Sequence, residues 1–249
     1  MKLPRSVVLA YLDFSDSLRL GLFDAVIFIF TFVGVLLSYL EYYGSSASLA
    51  MSILSPTLLA TALYLALRSS AGIAHMAGEG VLDIYLTYPL SRPVIALVIL
   101  ISRVIVPSLI IIGLPALAAS IVYYPLISAE TLKFLEMFGA FLVQATFYGV
   151  SFSVIALLSK RGGTASILSL LYYFTYNILE LILSNLSATY ESITYKISRA
   201  MSFYLVAYQH VNPPSIVPPP SLWEALLVPG LTLVLGALFV LHFSRWYEP

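Results

Sequence analysis

Cysteine is absent from this 249-residue chain, which excludes a disulfide framework, a thiolate metal site and a thiol nucleophile. Charge is scarce: 10% of residues are Asp, Glu, Lys or Arg, against roughly 25% in soluble domains. The formal net charge is zero, which argues against nucleic acid as a partner, because phosphate binding needs clustered Lys and Arg. Histidine occurs only as His75, His210 and His242, scattered over separate regions, so no metal site is expected from them. No G-x-x-x-x-G-K-[ST] run is present, and Arg161-Gly162-Gly163-Thr164 reads as a turn, so the chain has no P-loop with which to hydrolyse ATP. An intramembrane serine protease is excluded on similar grounds: Gly149-Val150-Ser151-Phe152 lacks the flanking glycine of a nucleophile motif, and no histidine falls at mid-depth. A cleavable signal peptide is not expected either, since residues 1–20 carry Asp13 and Asp16 where an apolar signal core would stand.

What fills the chain instead is apolar surface. Sixty per cent of residues are hydrophobic, and the mean hydropathy is +0.97. A bilayer core of about 30 Å needs roughly 20 helical residues. Six windows satisfy it, at about 21–40, 49–67, 94–123, 132–158, 165–183 and 222–243. Their apolar runs are continuous rather than alternating, so helices are expected and a β-barrel is not. The basic residues divide unequally between the two sides. Lys2, Arg5, Arg19, Arg68, Arg92, Lys160, Arg161 and Arg245 fall on one, whereas Lys133, Lys196 and Arg199 fall on the other. The positive-inside rule then places both termini, and the connection between the second and third spans, in the cytoplasm.

Three further features lie outside or across these spans. Val7, Tyr11, Phe14 and Leu18 recur at helical spacing, with Arg5, Asp13, Asp16 and Arg19 off that stripe, which reads as a helix lying along the membrane surface. In the third span, Pro93 suits a first helical turn, while Pro107 and Pro115 remove backbone donors mid-span and are expected to kink it or let it flex. Between the fifth and sixth spans, at 185–221, Tyr190, Ile193, Ile197, Met201 and Tyr204 recur at helical spacing. They suggest an amphipathic helix, or else a simple surface loop, before the proline-rich run at 212–220, which cannot continue a helix.

The segment Gly78-Glu79-Gly80-Val81-Leu82-Asp83-Ile84-Tyr85-Leu86-Thr87-Tyr88-Pro89-Leu90-Ser91-Arg92 is the most specific signal. Glu79 and Asp83 share one face of a short helix, as do Leu82 and Leu86. The first pair can meet basic residues while the second fills an apolar groove. Gly80 permits close backbone approach, and Pro89 stops the helix. The pattern G-E-G-x-L-[DE]-x-x-L-x-x-P-L-S-R resembles the cytoplasmic signature of type-2 ABC transporter permeases. This chain departs from that pattern just before the acid, where His75-Met76-Ala77-Gly78 stands in place of a basic residue.

The resemblance implies a permease subunit that moves substrate outward. Residues 78–92 would be its coupling helix, with Glu79, Gly80, Leu82, Asp83, Leu86, Pro89 and Arg92 at the contact with a separately encoded ATPase. Residues 1–20 would be its elbow helix. ATP and Mg would be bound by that ATPase and not by this chain, which is no enzyme on this reading. The subunit would work as a homodimer or with a related permease in the plasma membrane. Two other readings stay open: a permease-like assembly factor for haem or metal-centre biogenesis, and a membrane scaffold or enzyme without an ATPase.

Two groups of polar residues fall within the spans themselves. Ser166, Ser169, Tyr173, Tyr176, Asn177 and Glu180 share one face of the fifth span, which points to a pathway, a subunit interface or a packed interior rather than to lipid. Asp24 and Arg103 are the charges nearest the apolar interior; they are expected either to pair with each other or to snorkel to the headgroups.

Overall fold

The computed structural model describes residues 4–17, 29, 45–80, 87, 90–187 and 189–245. Among them there is no strand, and they include nine helices with described bounds: α1 Arg5–Ser17, α2 Ser46–Gly78, α3 Arg92–Val122, α4 Tyr124–Ala129, α5 Thr131–Ser159, α6 Gly162–Asn185, α7 Ile193–Met201, α8 Phe203–Val211 and α9 Leu222–Arg245. Five of these, α2, α3, α5, α6 and α9, are long and apolar enough to cross a bilayer. This is an all-α protein of the multi-pass membrane type. The window at 21–40, expected as the first span, lies outside the described residues apart from residue 29, as do 81–86, 88 and 89.

The crossing helices run antiparallel in chain order. One end of the bundle, the lower, gathers Gly78, Arg92, Ser159, Gly162 and Arg245, and the upper end gathers Ser46, Val122, Thr131, Asn185 and Leu222. Helices α2, α3 and α5 are mostly enclosed, while α6 and α9 turn most of their surface outward.

Helix α2 does not stop near Leu67. It continues as 33 residues to Gly78, because residues 70–78 contain no proline and bury Ile73, Ala74, Met76 and Ala77 against the bundle. Its start is held from two directions. Ser45 is extended and its hydroxyl accepts the Ser48 N–H at 3.2 Å. Glu130, between α4 and α5, accepts the Ser46 N–H at 2.9 Å and the Ser46 hydroxyl at 3.0 Å. Together they satisfy donors that a helix start leaves orphaned. Helix α3 has 31 residues, with Ser91 extended before it and Pro93 in its first turn, as the sequence suggests.

Glu130 also receives Lys133 Nζ at 2.5 Å, and these partners, Lys133 first and the Ser46 N–H next, hold its carboxyl down to about 2 from an ordinary 4.5. A depressed carboxylate contributes stability above its unfolded value and loses it as pH falls through the folded one. Glu130→Gln is therefore expected to lower the melting temperature at pH 7, with the gap to wild type closing as pH falls from about 4.5 towards about 2. Thermal unfolding in detergent across that range checks it, and a gap independent of pH would refute it.

Between α6 and α9 the expected single amphipathic helix is two. Ser192 caps α7, its hydroxyl accepting the Tyr195 N–H at 3.3 Å, so Tyr190 lies before the helix. The helix then breaks at the buried Ser202 (φ −110°, ψ 87°). The break is held from outside, because Gln144 Oε1 on α5 accepts the Phe203 N–H at 2.9 Å. Residues 212–220 follow without helix, as their prolines require.

Side chains pack into two apolar cores stacked along the bundle, with Leu235 of α9 packed against both. The upper holds residues of α2 as far as Ala66, of α3 from Ile111 on and of α5 from Phe134 to Phe152, with Tyr173, Ala207 and Val228. The lower holds Leu9 of α1, residues 73–77 of α2, residues 95–104 of α3, parts of α5 and α6, and Phe239 and Phe243 of α9.

Candidate functional site

The lower end of α2 is built for close contact. A Cβ at Gly78 would collide with the backbone carbonyl of Lys160, in the α5–α6 turn. Lys160 itself adopts a left-handed φ of 52° there, and Gly162 rests on Ala71 of α2. A two-residue turn, Lys160 and Arg161, is thus clamped against the last turns of α2. Beyond Gly78 the chain leaves through Glu79 and Gly80, the latter at φ 72°, a left-handed conformation open to glycine at little cost. The Glu79 carboxylate is exposed and meets His75 Nδ1 at 3.1 Å, one helical turn back. Arg92 opens α3 on the other side of the connection. Of the candidate contact residues, Glu79, Gly80 and Arg92 are therefore at the lower end, whereas Leu82, Asp83, Leu86 and Pro89 lie outside the described residues.

Above this exit, α2 and α3 each contain one π-helical turn, at Leu65–Ser69 and Ile101–Ile105. Such turns are rare and concentrate at functional sites. These two pack on one another. Pro107 has no N–H to offer the Arg103 carbonyl, and the hydroxyl of Ser69 on α2 supplies the missing donor at 2.6 Å. Pro107 stands just after the π-turn of α3, and the helix runs on through Pro115 without a break.

Arg103 sits within its π-turn, 5% exposed, and does not snorkel. Its guanidinium lies over Gly72, where a Cβ would collide with Nη1. Its Nε donates to both oxygens of Asp13 at 3.0 and 3.1 Å, and its Nη2 donates to Oδ1 at 2.7 Å. The Ser102 hydroxyl donates to the same carboxylate. Asp24 lies outside the described residues. Asp13 is completely buried, although the helical pattern places it on the polar side of α1. The apolar stripe expected to face lipid is exposed where it is described: Val7 and Tyr11 point outward, while Leu9 and Asp13 face α3. No spacing rule identifies Asp13 as a buried partner, because an amphipathic pattern reports which residues are polar and not which face meets protein.

The polar stripe of α6 turns inward. Ser169 and Tyr173 are buried, Ser166 donates to the Leu67 carbonyl at 3.2 Å, and Tyr176 donates to the Met201 carbonyl at 2.6 Å. Asn177 donates back to Tyr173 on its own helix at 2.7 Å. Ser198 reaches the Glu180 carbonyl at 3.0 Å, tying α6 to α7. Facing the stripe, Tyr148 of α5 sits edge-on to Tyr173 and Tyr176, at 5.1 and 5.7 Å between ring centres. Among the described residues, Gln144 Nε2 and the hydroxyls of Ser169 and Ser202 are buried in this region with no hydrogen-bond partner.

A second buried ion pair, missed by sequence reasoning, joins Arg199 of α7 to Glu224 of α9. Its readable signal is Ser221-Leu222-Trp223-Glu224, a capping box ahead of an apolar run; Glu224 Oε2 accepts the Ser221 N–H at 2.7 Å.

Comparison with protein-family models and with curated proteins returns no match for the chain.

Proposed function

We propose that this chain is the transmembrane subunit of an ATP-driven exporter, acted on at the 79–91 connection by a separately encoded ATPase. The observation that carries the reading is the exit itself: an acidic, glycine-punctuated connection leaves a bundle end at which α2 and the α5–α6 turn are clamped together. A force applied to that connection enters α2 and α3 directly, and reaches α5 and α6 through the Gly78–Lys160 contact. In this reading the lower end is cytoplasmic, as the distribution of basic residues asks. Residues 1–20 form the elbow helix, residues 78–92 the coupling helix, and the 21–40 window supplies a sixth span. Two such subunits, identical or related, pair in the plasma membrane, each binding one ATPase that holds the ATP and Mg. The inward-facing tyrosines of α5 and α6, and the Gln144 amide nitrogen of α5 that makes no close hydrogen bond, favour a neutral or amphipathic cargo.

The test is co-purification. The chain is solubilised from its native membranes, and its companions are identified by mass spectrometry beside those of Glu79→Arg/Asp83→Arg. A P-loop ATPase recovered with wild type and lost with the double variant is the expected result. Recovery with both, or with neither, overturns the coupling role, and the second outcome returns the chain to the scaffold or enzyme reading.

A further inference from the structure

The boundary between the two apolar cores is a polar layer that crosses three helices at one level. In α2 it holds the π-turn, Ser69 and Ser70; in α3 the π-turn, Ser102, Arg103 and Ser108; in α5 Ser151 and Ser153. All six serines are buried. Four of them donate to a carbonyl one turn back on their own helix: Ser70 to Ala66, Ser108 to Val104, Ser151 to Phe147 and Ser153 to Gly149, at 2.7–2.8 Å. That bond weakens the helix locally and favours bending. At the same level Gly149 of α5 lets both π-turns approach, since a Cβ there would collide with Val104 and press on Leu65. The upper core reaches down to Ala66 and Phe152, and the lower reaches up to Val104 and Val150.

The depth of this layer has a physical meaning. Counted from the upper ends of α2, α3 and α5, it lies about twenty residues down, roughly 30 Å at 1.5 Å per residue. That is one hydrocarbon thickness. A membrane whose far face meets the upper ends therefore ends near the level of Arg103, where a charged pair is tolerated. The lower core, with α1 on its flank, then stands at the headgroups and beyond.

We propose that this layer is a hinge, across which the lower lobe tilts as one body against the upper, with the Asp13–Arg103 pair holding α1 to the moving side. Interdigitated side chains resist sliding, but between these cores α2 and α3 each carry an irregular turn, and α5 carries two back-bonded serines. The hinge belongs to the fold whether or not an ATPase binds. Only its use, to carry motion from the 79–91 connection into the membrane, rests on the proposed function. Failure of that reading would show in the ATPase recovery and not in distances within the chain.

The absence of cysteine makes the test direct. Pairs of spin labels are placed by cysteine substitution at exposed positions in the full-length chain, reconstituted alone in lipid nanodiscs. Leu97→Cys with Leu158→Cys lies within the lower lobe, and Leu117→Cys with Leu135→Cys within the upper. Leu97→Cys with Leu135→Cys, and Leu117→Cys with Leu158→Cys, span the layer. The cross-layer distance distributions are expected to be about twofold broader than the within-lobe ones, or split in two. Cross-layer distributions as narrow as the others overturn the hinge. So does equal broadening of all four, which is general looseness rather than motion about one level. The second cross-layer pair carries the test if a label disturbs the first.

Discussion

Glu224→Leu is expected to destabilise the protein by about 3–5 kcal/mol, because it strands a buried arginine. Arg199 is 3% exposed and Glu224 is fully buried. Each of the three guanidinium nitrogens donates. Nε and Nη2 reach Glu224 Oε1 at 2.8 and 2.6 Å, while Nη1 reaches Gln209 Oε1 and the Pro218 carbonyl, each at 2.8 Å. The Tyr195 ring lies 5.4 Å from the guanidinium carbon. The other Glu224 oxygen is taken by the backbone N–H and the hydroxyl of Ser221. Removing the carboxylate therefore leaves an uncompensated cation and also uncaps α9. Arg199→Met alone is expected to be costly for the mirror reason. The double variant Arg199→Met/Glu224→Leu should be less destabilised than the sum of the singles, because no charge is left buried alone. Thermal unfolding of the purified chain in detergent measures all three. Additivity within about 0.5 kcal/mol would show that the two residues act independently.

Asp13→Ala is expected to have an effect of the same order, about 3–5 kcal/mol, because it strands Arg103. The consequence differs in kind. Glu224 anchors one end of a membrane helix, whereas Asp13 anchors α1, among whose described side chains only Leu9 is otherwise deeply buried. Losing the carboxylate therefore should release α1 before it unfolds the bundle. Tryptic cleavage of the N-terminal segment should accelerate at temperatures where the rest of the chain is still folded. Arg103→Met in the same chain removes the stranded charge, so it should recover stability without restoring protection of α1. Protection of α1 unchanged in Asp13→Ala would mean that its apolar contacts suffice.

The sequence conveys some of this and conceals the rest for physical reasons. Continuous apolar runs locate α3, α5, α6 and α9 to within a few residues, since a membrane helix must satisfy its backbone internally and cannot be interrupted cheaply. The tight α5–α6 turn at Lys160 and Arg161 and the unwound proline run at 212–220 are equally legible. The end of α2 is not: residues 70–78 are small and weakly apolar, so only the neighbours they meet reveal that the helix continues. The π-turns leave no mark in composition, because each adds one residue to a helix without changing its polarity. Arg103 stands out as a charge in an apolar run, but its partner lies ninety positions away on a helix whose pattern presents Asp13 as solvated. The stripe of α6 is readable as polar, but the residues it meets on α5 and α7 are not encoded in the stripe itself.

The lower core has a further consequence for how the molecule is assembled. Its members include Leu9 from the first described helix and Phe239 and Phe243 from the last. A chain emerging in order can build most of the upper core from α2, α3 and α5, which are neighbours in sequence, leaving Val228 of α9 to complete it. The lower one has members at both extremes and cannot be sealed until α9 is made. Long-range closure of this kind is slow and leaves apolar surface waiting. During synthesis the lower half of the bundle thus remains open, with α1 already beside α3 and an unfilled place where two stacked phenylalanines, their rings 6.4 Å apart, arrive last.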